Sequence, residues 1–176
     1  MMKMKKVLYI CLIAGLLLGF LTGCGSSKSE VDLSSFQTVD LAGNEVTQDI
    51  FKEYDVTMVN IWATWCKYCI EEMPALETVY QNLPENSNMI TICMDADQEE
   101  EEAKRLVAET GVTFQVLMGN DELRKKVDEN LSGYPTTVFL DKSGHLIGEP
   151  IVGAPAKNTA EVYSKSLEEA LAAVKE

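Results

Sequence analysis

The sequence predicts an α/β fold, a central β-sheet flanked by helices, with an N-terminal β-hairpin added to it. Three observations predict it. Runs with the two-residue alternation of strands take turns with stretches of helical periodicity, which is the order of an α/β chain. The run Val56–Trp62 is too uniformly apolar for an exposed edge and suits the centre of a sheet. The 176 residues, 46% of them hydrophobic, suffice for one core, and there is no internal repeat or second domain.

The first 23 residues differ from the rest. Residues 1–6 are basic, residues 7–20 are an apolar run interrupted only by glycine, and Leu21-Thr22-Gly23-Cys24 ends it. The run is shorter than the roughly 20 residues of a spanning helix, and with its basic start it reads as an export signal. The Leu-x-Gly-Cys ending resembles the lipobox of bacterial lipoproteins. That resemblance implies removal of residues 1–23, with Cys11 discarded and Cys24 becoming the lipidated first residue of the mature chain. An uncleaved N-terminal anchor is the alternative. Either way the body lies outside the cytoplasm, on the extracytoplasmic face of a membrane, where two acyl chains anchor stably. Residues 24–34 include the small, polar Gly25-Ser26-Ser27-Lys28-Ser29-Glu30 and read as a flexible tether, leaving 35–176 as the folded domain.

Within the domain, residues 36–41 alternate like a half-buried strand, 42–45 have turn chemistry, and Val46 resumes the alternation, which gives the hairpin. Residues 48–54 suit a short helix. After the central strand a helix begins at Cys66 and runs to about Leu83. At about 100° per residue, Cys69, Met73, Leu76, Val79, Tyr80 and Leu83 share one stripe. Glu72 falls inside that stripe while Glu71 points away, and a carboxylate on a buried face costs desolvation energy. Pro74 lacks the amide that would bond to Ile70 and predicts a kink. Residues 88–94 form a second apolar strand. Residues 97–110 form a helix with an acidic first turn, ended by Gly111. A short strand (113–118), a charged helix (121–131), a strand (136–140), a turn (141–144) and a returning strand (145–152) follow. Residues 158–175 form the last helix, with Leu167, Ala170, Leu171 and Val174 on its buried face.

Composition narrows the function. The formal charge is −13, and the three lysines of residues 1–23 are not offset there by any acid, so the remainder carries −16. Nucleic acid is therefore excluded as a partner class. The five cysteines, Cys11, Cys24, Cys66, Cys69 and Cys93, stand in three different contexts, which argues against a structural disulfide framework. The chemistry concentrates where the central strand runs into Trp62-Ala63-Thr64-Trp65-Cys66-Lys67-Tyr68-Cys69. A thiol at a helix N-terminus meets unpaired amides and the positive end of the helix dipole, which favour thiolate. The thiolate attacks disulfides, and a second thiol one turn on can resolve the mixed disulfide.

This stretch, the continuation Glu72-Met73-Pro74 and the distant Gly133-Tyr134-Pro135-Thr136-Thr137 together resemble the thioredoxin superfamily, and most closely its extracytoplasmic, membrane-tethered TlpA/ResA-type branch. The resemblance covers about residues 33–176 and implies a thioredoxin-like fold with a central mixed sheet. It implies a thiol–disulfide oxidoreductase in which Cys66 is the attacking nucleophile, Cys69 resolves, and Glu72 is a buried proton acceptor beside them. It implies a cis bond between Tyr134 and Pro135, next to the pair, where with Trp65 they form the substrate-binding face. Asn60 departs from cytoplasmic thioredoxins, which usually carry Asp there. No cofactor beyond the redox-active pair is implied. Implied partners are exported client proteins with disulfides, of apocytochrome c or methionine sulfoxide reductase type, and a membrane thiol carrier as electron donor. The expected unit is a monomer.

Other readings compete. A zinc site would need two ligands besides the pair, and only Cys93 and His145 remain. Sco-type copper delivery uses a longer Cys spacing. Cys93 reads as an inert core thiol, His145 as a solvated strand residue, and Trp62 and Trp65 as core and site wall. A non-catalytic binding lipoprotein, or a disulfide-forming oxidase on the same fold, stays open at the level of sequence.

Overall fold

The computed structural model describes residues 31–127 and 131–175. The export signal, Cys11, Cys24 and most of the expected tether lie outside the described residues.

An antiparallel hairpin comes first, β1 (Gln37–Val39) and β2 (Glu45–Thr47), followed by a 3-10 turn over Gln48–Phe51. Then come β3 (Val56–Trp62), α1 (Lys67–Gln81), β4 (Ser87–Cys93), α2 (Glu100–Thr110), β5 (Gln115–Met118), α3 (Asp121–Val127), β6 (Thr136–Leu140), β7 (Ile151–Val152) and α4 (Thr159–Ala173). The main sheet is mixed, in the order β5-β4-β3-β6-β7. β3 is central and every one of its residues is buried, as its apolar composition requires. It pairs in parallel with β4, and antiparallel with β6 in a register that sets Asn60 opposite Thr137.

The pleat of β3 divides the core. Val56, Met58 and Trp62 pack with buried residues of α1, α2 and α4. Val59 and Ile61 face the other way, toward Leu123 and Val127 of α3 and toward Phe36, Val46 and Phe51. A period of two therefore places Asn60 on the α1 and α4 side. Glu72, buried on α1, meets it there.

Four expectations need correction. The end of the stretch expected as tether is packed: Val31 and Leu33 are buried, and the Leu33 amide donates to the Gly144 carbonyl at 3.1 Å. The helix expected from residue 97 starts at Glu100, because Asp97 is engaged by both terminal nitrogens of Arg124, each at 2.8 Å. The returning strand shrinks to Ile151–Val152, with isolated bridges at His145, to Asp32, and at Leu146, to Leu140. Gly148 at φ +72° and Pro150, which has no amide to donate, interrupt the ladder between them. Val174 caps α4 and is exposed; Tyr163, unremarked in the sequence, fills the buried face with Leu167, Ala170 and Leu171.

Candidate active site

The loop leaving β3 is fixed before the first cysteine. The Thr64 amide donates to Asp95 Oδ1 at 2.9 Å and to Oδ2 at 3.2 Å, and the Thr64 hydroxyl donates to Oδ2 at 2.6 Å. The Cys66 amide donates to the Ala63 carbonyl at 3.0 Å. Cys66 then sits at the N-cap of α1, with extended backbone, and its sulfur accepts the Cys69 amide at 3.3 Å. Cys66 and Cys69 are joined in a disulfide. The first thiol position thus lies against the unpaired amides of a helix start, as the sequence predicts.

Both cysteines are buried, but aromatic side chains mark the surface over them. Trp65 is 72% exposed and Tyr68 66% exposed. The rings of Trp65 and Tyr134 meet edge to face, with centroids 5.7 Å apart. The Tyr134–Pro135 bond is cis, and the Pro135 carbonyl accepts the Gly153 amide at 2.7 Å.

Beneath this surface lies a closed polar cluster. Glu72 is only 4% exposed. Its Oε1 accepts from Asn60 Nδ2 at 2.9 Å and its Oε2 accepts from the Tyr163 hydroxyl at 2.8 Å. Asn60 Nδ2 also donates to Thr137 Oγ1 at 3.0 Å, which ties β6 into the cluster. Burial holds the Glu72 carboxyl above the ordinary carboxylate range, while the hydrogen bonds from Tyr163 and Asn60 pull it down. Burial, and after it the Glu72 charge, push the Tyr163 phenol up. Glu72 stands one turn after Cys69 on the same face of α1, and helical side chains lean toward the N-terminus, so its carboxyl leans back over Cys69. Glu72 also lines a cleft of about 300 Å³ with Tyr68, Glu71, Ala154, Pro155, Ala156 and Thr159.

A family model for redoxins matches residues 26–167. The chain belongs to the redoxin family. This redoxin is 31% identical over 163 residues to the thioredoxin-like protein YneN of Bacillus subtilis, a match covering 85% of this chain and 94% of that protein. It is 31% identical over 134 residues to the thiol-disulfide oxidoreductase ResA of Bacillus thuringiensis, covering 76% of this chain and 75% of that protein. Its fold is similar to the crystal structure of a thioredoxin-family thiol:disulfide interchange protein from Chlorobium tepidum, with a TM-score of 0.66 at 24% identity over 81% of this chain and 97% of that one. This redoxin is a TlpA/ResA-like member of the thioredoxin superfamily, and a thiol–disulfide oxidoreductase with a Cys-x-x-Cys pair.

The remaining candidates of the redoxin fall into place around this pair. Cys93 is buried at the end of β4 and its thiol donates to Asp95 Oδ1 at 3.3 Å; burial first, and then the Asp95 charge, push it well up. The His145 side chain is 61% exposed, 4.0 Å from Asp141. Among the described residues no three His, Cys, Asp or Glu side chains gather as a metal site would require. Among them, too, no helix is long and apolar enough to cross a membrane. Sequence reasoning missed Tyr163, Thr137 and Asp95. Tyr163 had a signal, a hydroxyl-bearing ring four residues before Leu167 on the buried stripe. Thr137 lay within the Gly-Tyr-Pro-Thr-Thr motif without a role, and Asp95 had no signal at all.

Proposed function

We propose that this redoxin is a membrane-tethered, extracytoplasmic reductase of disulfides in exported proteins. Cys66 is its nucleophile, Cys69 its resolving thiol and Glu72 the acceptor of the Cys69 proton. The observation that carries this reading is the Cys66–Cys69 disulfide at the start of α1 with the buried Glu72 carboxyl one turn behind it.

Starting from the dithiol, the Cys66 thiolate attacks one sulfur of the client disulfide. A Cys66–client bond forms, the client S–S bond breaks, and the first client thiolate leaves and takes a proton from water. Cys69 then gives its proton to Glu72, and its thiolate attacks the Cys66 sulfur. The mixed disulfide breaks, the second client thiolate leaves, and the Cys66–Cys69 bond closes. Two electrons have moved to the client. A dithiol carrier in the membrane returns them. Burial raises Glu72 toward neutral pH, where a carboxylate is a more effective base. The exposed Trp65 ring and the adjoining Tyr134 and Pro135 form the face on which an extended client segment lies.

The tether is supported by the lipobox-like Leu21-Thr22-Gly23-Cys24, with residues 1–23 as signal and Cys24 as the lipidated residue. Mass spectrometry of the native N-terminus checks it: a diacylglyceryl Cys24 is expected, and a free Met1 refutes it. The reductase itself is tested with Cys69→Ser. Client proteins should accumulate as covalent adducts of Cys66 that reducing agent releases. If none forms while Cys66 is intact, the mechanism fails.

A further inference from the structure

The Glu72 carboxyl does not stand alone, and the groups that hold it come from three separate elements. Asn60 of β3 donates to one oxygen and Tyr163 of α4 to the other, while Thr137 of β6 accepts a second hydrogen bond from Asn60 and holds it in place. Tyr163 is fully buried, in the middle of the α1–α4 contact, and its hydroxyl is the only part of that ring with a polar task. A core position this apolar would be filled as well by Phe, without the cost of burying a hydroxyl. We infer that Tyr163 is a positioning residue for the resolving step: its hydroxyl fixes the Glu72 carboxylate against Cys69 and keeps it able to ionise. The inference rests on the reading of Glu72 as acceptor of the Cys69 proton.

The geometry allows the task. A carboxylate has about four lone-pair sites. Asn60 and Tyr163 occupy one on each oxygen, which prevents the group from rotating and leaves sites for the Cys69 proton. The proton passes from Cys69 sulfur to a Glu72 oxygen. Few other titratable groups face this spot. α1 contributes Cys66, Cys69, Tyr68 and Glu71, the last paired with Lys67 at 3.5 Å. β3 and β6 contribute the neutral Asn60 and Thr137, the segment before α4 contributes Ala154, Pro155 and Ala156, and α4 contributes Thr159 and Tyr163. The hydroxyl of Tyr163 is therefore the adjustable donor in a set otherwise fixed by burial.

Stopped-flow decay of a Cys66 mixed disulfide with a peptide thiol isolates the resolving step, and its pH profile in the full-length chain tests the inference. Tyr163→Phe should move the ionisation that governs the decay upward by about one pH unit, the worth of a hydrogen bond to a charged group. Site-specific 3,5-difluorotyrosine at position 163 keeps the ring and strengthens the donor, so it should move the same ionisation downward; this arm does not depend on the Phe variant folding. Glu72→Gln should remove the ionisation from the profile. If Glu72→Gln removes it but neither change at 163 moves it, Tyr163 is only a packing residue and the inference is overturned while the Glu72 reading stands. If Glu72→Gln leaves the profile as it was, the Glu72 reading falls and takes the inference with it.

Discussion

Cys66 and Cys93 sit close to each other in the fold, one just beyond the end of β3 and the other ending the adjacent parallel strand β4, where Cys93 lies opposite Trp62. They are nearly equally hidden, 5% and 0% exposed. Their hydrogen bonds run in opposite directions. The Cys66 sulfur accepts an amide at the start of a helix, whereas the Cys93 thiol donates to a carboxylate. An amide pointing at sulfur favours the anion, and a carboxylate beside a buried thiol opposes it. Burial therefore does not distinguish the two cysteines; the sign of the local field does. Asp95 serves both ends of the contrast, since the same carboxylate that suppresses Cys93 ties down Thr64 two residues before Cys66.

The contrast can be broken most severely at the reactive end. Cys66→Ser should reduce disulfide exchange to the uncatalysed background in an insulin-reduction assay, with the fold retained by circular dichroism. Glu72→Gln comes next, slowing resolution at pH 7 by about a hundredfold, the lower range for loss of a general base. The same substitution has a stability signature. Glu72 has a folded-state pKa above its unfolded value, so its favourable contribution is complete below the ordinary carboxylate range and is lost as pH rises through the raised value. The melting temperature of Glu72→Gln should therefore exceed that of the parent by a margin that grows with pH, reaching a few degrees at pH 8. Asp95→Asn acts on both cysteines: turnover should fall severalfold as the Thr64 loop loosens, while alkylation of Cys93 in the folded, reduced protein becomes faster. The smallest effect belongs to Cys93→Ser, which keeps a donor for Asp95 and should leave turnover within about twofold; a larger loss would mean that Cys93 takes part in the chemistry.

Much of this arrangement was legible in the sequence where the signal is local. The bounds of β3 match the apolar run Val56–Trp62, because a central strand buried on both faces leaves no polar alternation to blur its ends. Glu72 was visible as a carboxylate on an apolar stripe, since helical phase needs only its own neighbours. Residues whose role comes from distant partners were not legible. Tyr163 lies 91 residues from Glu72 and Asp95 lies 31 from Thr64, and nothing near either one in sequence announces its partner. The shortened β7 and the late start of α2 were missed for a related reason. Their strand and helix patterns continue outward, but Gly148 and Pro150 interrupt one and the Arg124–Asp97 pair holds back the other. The tether was overextended because Val31 and Leu33 look isolated in a polar stretch until the segment packs beside the turn at Gly144.

The reduction potential of the Cys66–Cys69 pair tests the central claim most directly. Equilibrating the protein against glutathione buffers of known ratio and trapping the thiols by alkylation gives the value. A reductase of exported disulfides should show a potential at or below about −220 mV, in the range of thioredoxin-like reductants. A value near about −120 mV, that of a strong disulfide-forming oxidant, would contradict it.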